Sequence, residues 1–497
     1  MGMEQAGATG GGGGGLDGSL EPSWVADAVV YQVFPDRFRR SGRVREQAGL
    51  TLDPWGSPPS PHGFQGGDLL GLIEGLDHIQ SLGATCLLLN PIFQSASNHR
   101  YHTDDYLRVD PLLGGEEAFS ALLEAVHARG MRLVLDGVFN HCGRGFWPFH
   151  HLVENGADSP YRDWFVVERW PIDPYPRSPS DTCGYHCWWN APALPKFRHA
   201  HPPVRDFLLD VARHWLERGI DGWRLDVPDE VESGFWLPFR RMVKAVNPEA
   251  WIVGEIWGDA RPWLAGDRFD GVMNYRMAWS SLGFFGAETI RSDLAFQAMP
   301  YGPLDGAGFL TVVEQTLGWY TAAVNRCQLN LLDSHDVPRA LHVLGGDRSA
   351  LTLALQFLFA LPGAPCIYYG TEVGLSGGPE PGCREALPWR PLEQGGAAGA
   401  KAAVVVDPEL TRLLQELTAR RARHPALRGD GWRLRELSDD SGVCWGLWLE
   451  RWQDGDRLHL VFNRSREERP VPEALLSNLD AETPSRIPAR EVLVLPA

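Results

Sequence analysis

Residues 221–232 read D-G-W-R-L-D-V-P-D-E-V-E, an apolar segment that runs straight into a charged cluster. Arg224 and Asp226 are separated by one residue, so on a β-strand their side chains project to the same side. A guanidinium beside a carboxylate favours its ionised form and fixes its orientation, as attack on carbon requires. Alone, R-x-D is far more often an ordinary ion pair than the setting of a nucleophile. Three other stretches change that balance. Residues 138–141 (V-F-N-H) follow the run Leu133-Val134-Leu135-Asp136, Glu255 ends W-I-V-G at 251–254, and Ser334-His335-Asp336 closes the run at 328–333. Each run has the length of a buried parallel strand and ends in His, Asp or Glu, with helical patterns between the runs. In a (β/α)8 barrel the C-terminal strand ends form one mouth, where these residues would meet.

Working outward, strands are expected at 28–34, 86–89, 132–138, 251–256, 271–275, 328–332 and 365–369, besides the one carrying Arg224 and Asp226. Helices are expected near 69–82, 116–128, 204–218, 234–246, 351–360 and 409–421, where apolar residues recur three and four apart. Residues 140–200 show no regular period and are too long for a simple connection. After about residue 424 the pattern turns to alternating segments such as 443–450 and 457–463. The expected fold is α/β: a Gly-rich disordered tail at 1–20, a (β/α)8 barrel at 21–139 and 201–424, an inserted domain at 140–200 after strand three, and an antiparallel β domain at 425–497.

With 497 residues the chain has room for such a barrel, and its formal charge of −17 disfavours nucleic acid and anionic membranes as partners. A neutral or small polar ligand fits better. The N-terminus has neither a basic nor an apolar signal region, and no run reaches membrane-spanning length, so the expected location is cytoplasmic. Of eight cysteines, Cys183 and Cys187 form C-x3-C; with no second pair they read as free thiols rather than a zinc half-site or a disulfide.

Four blocks, D-G-V-F-N-H (136–141), G-W-R-L-D-V (222–227), G-E-I-W (254–257) and L-L-D-S-H-D (331–336), in this order and spacing, resemble the α-amylase superfamily of glycoside hydrolases. The chain looks most like its cyclomaltodextrinase and neopullulanase branch through residues 24–38, F-Q-G-G-D-L (64–69), N-P-I-F-Q-S-A-S-N-H-R-Y (90–101), L-P-K-F (194–197) and P-C-I-Y-Y-G-T-E-V-G-L-S-G-G (365–378). The resemblance implies Asp226 as nucleophile, Glu255 as general acid and base, and Asp336 as a third carboxylate gripping sugar hydroxyls. It also implies that His141 and His335 bind that sugar, that Tyr101 stacks on it, that Arg224 holds Asp226, and that Glu380 and Arg384 sit one sugar further along. Departures surround the leaving-group side: His102 replaces the usual Asp, Pro228 the usual Ala, Phe197-Arg198 the common Leu-Asn, and Gly258 the frequent His. The branch's N-terminal β domain has no counterpart here, so a more open cleft is expected, and any homodimer would form through the barrel or C-terminal domain.

The expected function is retaining hydrolysis of α-1,4 glucosidic bonds in malto-oligosaccharides, extending to cyclodextrins and α-1,6 branch points. The same carboxylates would serve a transglycosylase, and a third reading is a barrel that only binds glucan or protein. Glu255 beside Trp257 should favour its acid form, whereas Arg224 should keep Asp226 ionised. No cofactor or metal is expected. Asn140 resembles a calcium ligand of some relatives, but the basic loop R-R-S-G-R-V-R after Phe38 is a poor cation site.

Overall fold

The computed structural model describes residues 21–44, 49–178, 182–296, 299–389, 406–478 and 484–496; the tail expected at 1–20 lies outside them. Eight short parallel strands form the core: β1 (Val30–Val33), β2 (Cys86–Leu89), β3 (Arg132–Gly137), β4 (Gly222–Leu225), β5 (Trp251–Gly254), β6 (Gly271–Val272), β7 (Leu329–Asn330) and β8 (Ala364–Tyr368). They pair in sequence from β1 to β6, β8 flanks β1, and β7 flanks β8. A parallel bridge between Met273 and Leu329 closes the ring.

The side-chain period of two sorts each strand into an inner and an outer row. Val30, Leu88, Val134 and Val253 pack together with Met273 and Leu329 inside the barrel, while Tyr31, Leu87, Leu133 and Ile252 belong to the larger cluster under the helices. In β4 the outer row is Trp223 and Leu225, both in that larger cluster. Arg224 and Asp226 therefore point inward, toward the C-terminal mouth.

The surrounding helices are α1 (Leu69–Ser81), α2 (Gly115–Ala128), α3 (Pro202–Glu217), α4 (Trp236–Val246), α5 (Tyr275–Phe285), α6 (Gly306–Gly318), α7 (Arg348–Leu358) and α8 (Pro408–Arg423). No α-helix separates β5 from β6. Strand six ends three residues sooner than expected because Asn274 caps α5, its side chain accepting from the Met277 N–H. Strand seven is likewise shorter than the expected 328–332.

Residues 140–200 leave β3 and return to α3. They contain a helix at Trp147–Asn155, which their lack of period hid; it is short, and buries Pro148, Phe149 and Leu152. Isolated bridges His141 to Lys196, Phe165 to Phe197 and Cys187 to Pro195 hold the returning end of the segment against its start and middle.

Beyond α8, strands β9 (Gly431–Ser438), β10 (Cys444–Gln453), β11 (Asp456–Asn463) and β12 (Val492–Pro496) form an antiparallel sheet in that order. Two buried arginines near the junction, Arg421 on α8 and Arg451 on β10, are held by main-chain carbonyls without a carboxylate, and Arg451 joins the sheet to the barrel. Arg421 donates to the carbonyls of Phe359, Leu361, Gly363, Leu427 and Ala26, and Arg451 to those of Ala360 and Gly429. Burial pulls both guanidinium pKa values down to about 9, so carbonyl dipoles do the work a counter-ion would otherwise do.

Candidate active site

Arg224 organises the mouth. Its Nη1 donates to Asp136 Oδ1 and Oδ2, both at 2.8 Å, and to Asp226 Oδ1 at 2.9 Å. Its Nη2 lies 2.9 Å from Glu255 Oε2 and 3.9 Å from Asp336 Oδ2. One fully buried guanidinium thus faces four carboxylates. Backbone bonds from Asp226 N to Gly137 O (3.1 Å) and from Glu255 N to Leu225 O (2.9 Å) continue the barrel ladder up to both acids.

This sharing corrects the expectation that Arg224 keeps Asp226 readily ionised. Burial dominates instead. It raises the Asp226 carboxyl to about 6, with Arg224 opposing the rise and the Asp336 charge adding to it. Burial likewise brings Asp136 and Asp336 to about 6. Glu255 is pushed well above the ordinary glutamate range, again chiefly by burial, with Arg224 opposing. The environment favours a protonated Glu255 beside a carboxylate that ionises near neutrality.

Val227 follows Asp226 with φ 35° and ψ 52°, the left-handed region, which a β-branched residue rarely occupies. Its N–H donates to Glu255 Oε2 at 3.1 Å.

Above these groups opens a cleft of about 350 Å³, lined among others by Tyr101, His141, Asp226, Glu255, Asp336, Glu380 and Arg384. Two sequence-predicted residues, Arg224 and His335, do not line it; both are fully buried behind its wall. His335 packs its ring against Tyr101 (centroids 5.3 Å apart, 3° from parallel) and sets Nε2 3.1 Å from Asp336 Oδ1. Tyr101 donates its hydroxyl to Asp136 Oδ2 at 2.7 Å, so one ring face is already occupied by the protein. His141 stays neutral, burial lowering it to about 3, and its Nε2 has no hydrogen-bond partner within the protein. Arg384 donates to Glu380 Oε1 at 2.6 Å and lies 3.6 Å from Asp336.

A family model described as alpha amylase, catalytic domain, matches residues 32–426. The chain belongs to that family. It is 40% identical over 454 residues, 91% of this chain and 71% of the other, to a cyclomaltodextrinase from Geobacillus thermopakistaniensis (strain MAS1). It is 37% identical over 423 residues, 84% of this chain and 66% of the other, to an intracellular maltogenic amylase of Bacillus subtilis (strain 168). The cyclic alpha-maltosyl-(1→6)-maltose hydrolase of Arthrobacter globiformis, solved in complex with that sugar, matches with TM-score 0.83 and 38% identity, covering 96% of this chain and 100% of that one. As a member of the alpha-amylase family the chain is a glycoside hydrolase.

In this alpha-amylase-family site several residues carried no clear sequence signal. Asp136, the residue with the tightest hold on Arg224, stands at the end of β3 and could have been read as a strand-end acid. Trp188, Trp189, Trp257 and Phe296 also line the cleft. Trp188 stacks on His141 (5.4 Å) and on Trp189 (4.7 Å), and Trp257 on Phe296 (4.3 Å). Flat apolar rings suit sugar faces. His102, one of the departures noted above, lines the same cleft.

Among the described residues no group of three or more His, Cys, Asp or Glu is arranged to hold a metal, and no helix is long and apolar enough to cross a membrane. The carboxylate of Asp36, in the helical turn Pro35–Phe38 after β1, accepts from Arg37 Nε (2.6 Å) and from the N–H groups of Gln65 and Gly66. Cys183 and Cys187 are free thiols with Sγ atoms 3.8 Å apart.

Proposed function

We propose that the chain is a retaining hydrolase of α-glucans in which Asp226 attacks the anomeric carbon, Glu255 protonates the leaving oxygen and then deprotonates water, and Asp336 holds the sugar hydroxyls. The observation that carries this reading is the division between two buried acids on one guanidinium: Glu255 held protonated and Asp226 ionising near neutrality. A glycosidic bond needs both states at once, because departure requires a proton and the oxocarbenium-like centre requires an anion. His141 Nε2, unpaired and at the cleft, is placed to hydrogen-bond a sugar hydroxyl. Glu380 and Arg384 extend the polar wall beside Asp336.

The substrates are linear and cyclic malto-oligosaccharides with α-1,4 bonds and, at branch points, α-1,6 bonds. The names of the Geobacillus and Arthrobacter relatives support cyclic substrates, and the latter supports an α-1,6 linkage. The Bacillus relative's name supports cytoplasmic residence. Transfer of the glycosyl unit to a second sugar competes with hydrolysis, since Trp188, Trp189, Trp257 and Phe296 offer an acceptor flat surfaces on which to lie.

Proton NMR during the first minutes of maltoheptaose cleavage should show the α-anomer of the new reducing end before the β-anomer. First appearance of the β-anomer would contradict retention. Chromatography of digests of γ-cyclodextrin and pullulan should show cleavage of both; inertness toward both would confine the reading to linear α-1,4 chains.

The raised carboxyls also set a pH dependence. Asp226 must be ionised to attack, so kcat/KM should fall as pH drops through about 6, by roughly tenfold per pH unit below that point. The limb belongs to the coupled carboxylates together rather than to Asp226 alone. A profile still flat at pH 4.5 would contradict the burial of Asp226 as its cause.

A further inference from the structure

The strained residue beside the nucleophile has no part in the chemistry proposed above, yet it lines the cleft and touches the acid. Val227 has φ 35° and ψ 52°, and the peptide bond it precedes belongs to Pro228. A β-branched side chain makes the left-handed region costly, and strain of this kind persists at sites where surrounding structure enforces it. The consequence of the turn is a specific contact, the Val227 N–H on Glu255 Oε2 at 3.1 Å. Arg224 Nη2 stands 2.9 Å from the same oxygen. Both groups can only donate.

We infer that Val227 is a positioning residue, whose strained backbone fixes an N–H on Glu255 Oε2 and so confines the transferable proton to Oε1. An oxygen that accepts from one obligatory donor and lies in ion-pair range of a cationic nitrogen that can only donate has to remain an acceptor in both protonation states of the carboxyl. The proton consequently resides on the other oxygen, and is delivered and recovered from one direction. In the first half-reaction Glu255 Oε1 gives its proton to the glycosidic oxygen as the C–O bond breaks and the Asp226 ester forms. In the second, Oε1 takes a proton from water as the water oxygen attacks and the ester breaks, which restores both carboxyls. The N–H bond also favours the charged form of Glu255, which serves the second half-reaction. This inference rests on the assignment of Glu255 as the acid and base.

The test is to replace the Val227 N–H by an ester oxygen, incorporating the α-hydroxy analogue of valine at that position, and to measure pH profiles beside those of Glu255→Gln. Loss of the N–H should raise the alkaline limb of kcat/KM by about half a pH unit or more and lower kcat on maltotriose on the order of tenfold, with KM little changed. If Glu255→Gln abolishes the alkaline limb while the ester leaves limb and kcat in place, the inference is overturned and the role of Glu255 stands. If Glu255→Gln keeps the limb, the underlying assignment fails, and the inference with it. Val227→Gly supplies a second readout should the ester chain not fold: it keeps the N–H without the Cβ that makes φ 35° costly. Its melting temperature should exceed the parent's, and a lower one would contradict the stored strain.

Discussion

Asp226→Asn should fold, melt at a higher temperature than the parent near pH 7.5, and lose activity by on the order of 10⁴-fold or more. The loss follows because an amide cannot form the glycosyl ester. The gain in stability follows from burial. An aspartate lifted from 3.8 to about 6 by the folded protein contributes stability that is full below the unfolded value and lost as pH rises through about 6. At neutral pH its ionisation therefore costs the folded state on the order of 3 kcal/mol, a net figure in which the opposing pull of Arg224 is already included. Asparagine escapes that cost. The difference in melting temperature should shrink to a small fraction by pH 4, where position 226 is neutral in the folded state of both proteins and the unfolded aspartate is about half protonated. Thermal melts at the two pH values, with turnover on maltotriose, check both halves; near-parental turnover would remove Asp226 from the mechanism, and a variant less stable at pH 7.5 would show that the Arg224 bond outweighs burial.

Glu255→Gln should show a loss that depends on the leaving group. On maltotriose, whose departing alkoxide needs a proton, the loss should be about 10³-fold or more. On an aryl α-maltoside with an acidic phenol the first half-reaction needs little protonation, so a far smaller loss in kcat/KM is expected. The second half-reaction still lacks its base, so the glycosyl ester should accumulate and produce a burst of phenol. Added azide, a nucleophile that needs no base, should restore turnover and yield the glycosyl azide. Equal losses on both substrates, with no azide rescue, would deny Glu255 its role.

The barrel was legible because its strands are short, fully buried runs that end in chemically conspicuous residues. Arg224 and Asp226 share the inner row through nothing more than a spacing of two, and that row leads to the mouth. Strand-end positions alone were thus enough to bring Asp226, Glu255 and Asp336 into one cleft. What spacing could not reveal is how one side chain is divided among several. Arg224 faces Asp136, Asp226, Glu255 and Asp336, and only β3 lying beside β4 brings Asp136 within reach of it. The aromatic wall was illegible for another reason. Trp188 and Trp189 stand on irregular backbone, Trp189 itself at φ 50°, where no period distinguishes a cleft-lining ring from one that fills a core. His335 shows what spacing leaves open: its block resembles that of a sugar contact, and its ring is fully buried and stacked on the cleft-lining Tyr101.

The central claim is that Asp226 becomes covalently bonded to the sugar. Incubation with 5-fluoro-α-maltosyl fluoride, whose ring fluorine slows the breakdown of the intermediate more than its formation is limited by the good leaving group, should raise the intact mass by one fluoromaltosyl unit. Peptide mapping of the trapped protein should place that unit on Asp226, and Asp226→Asn should acquire none. A label on a different residue, or steady consumption of the reagent with no adduct and inverted product, would contradict the account.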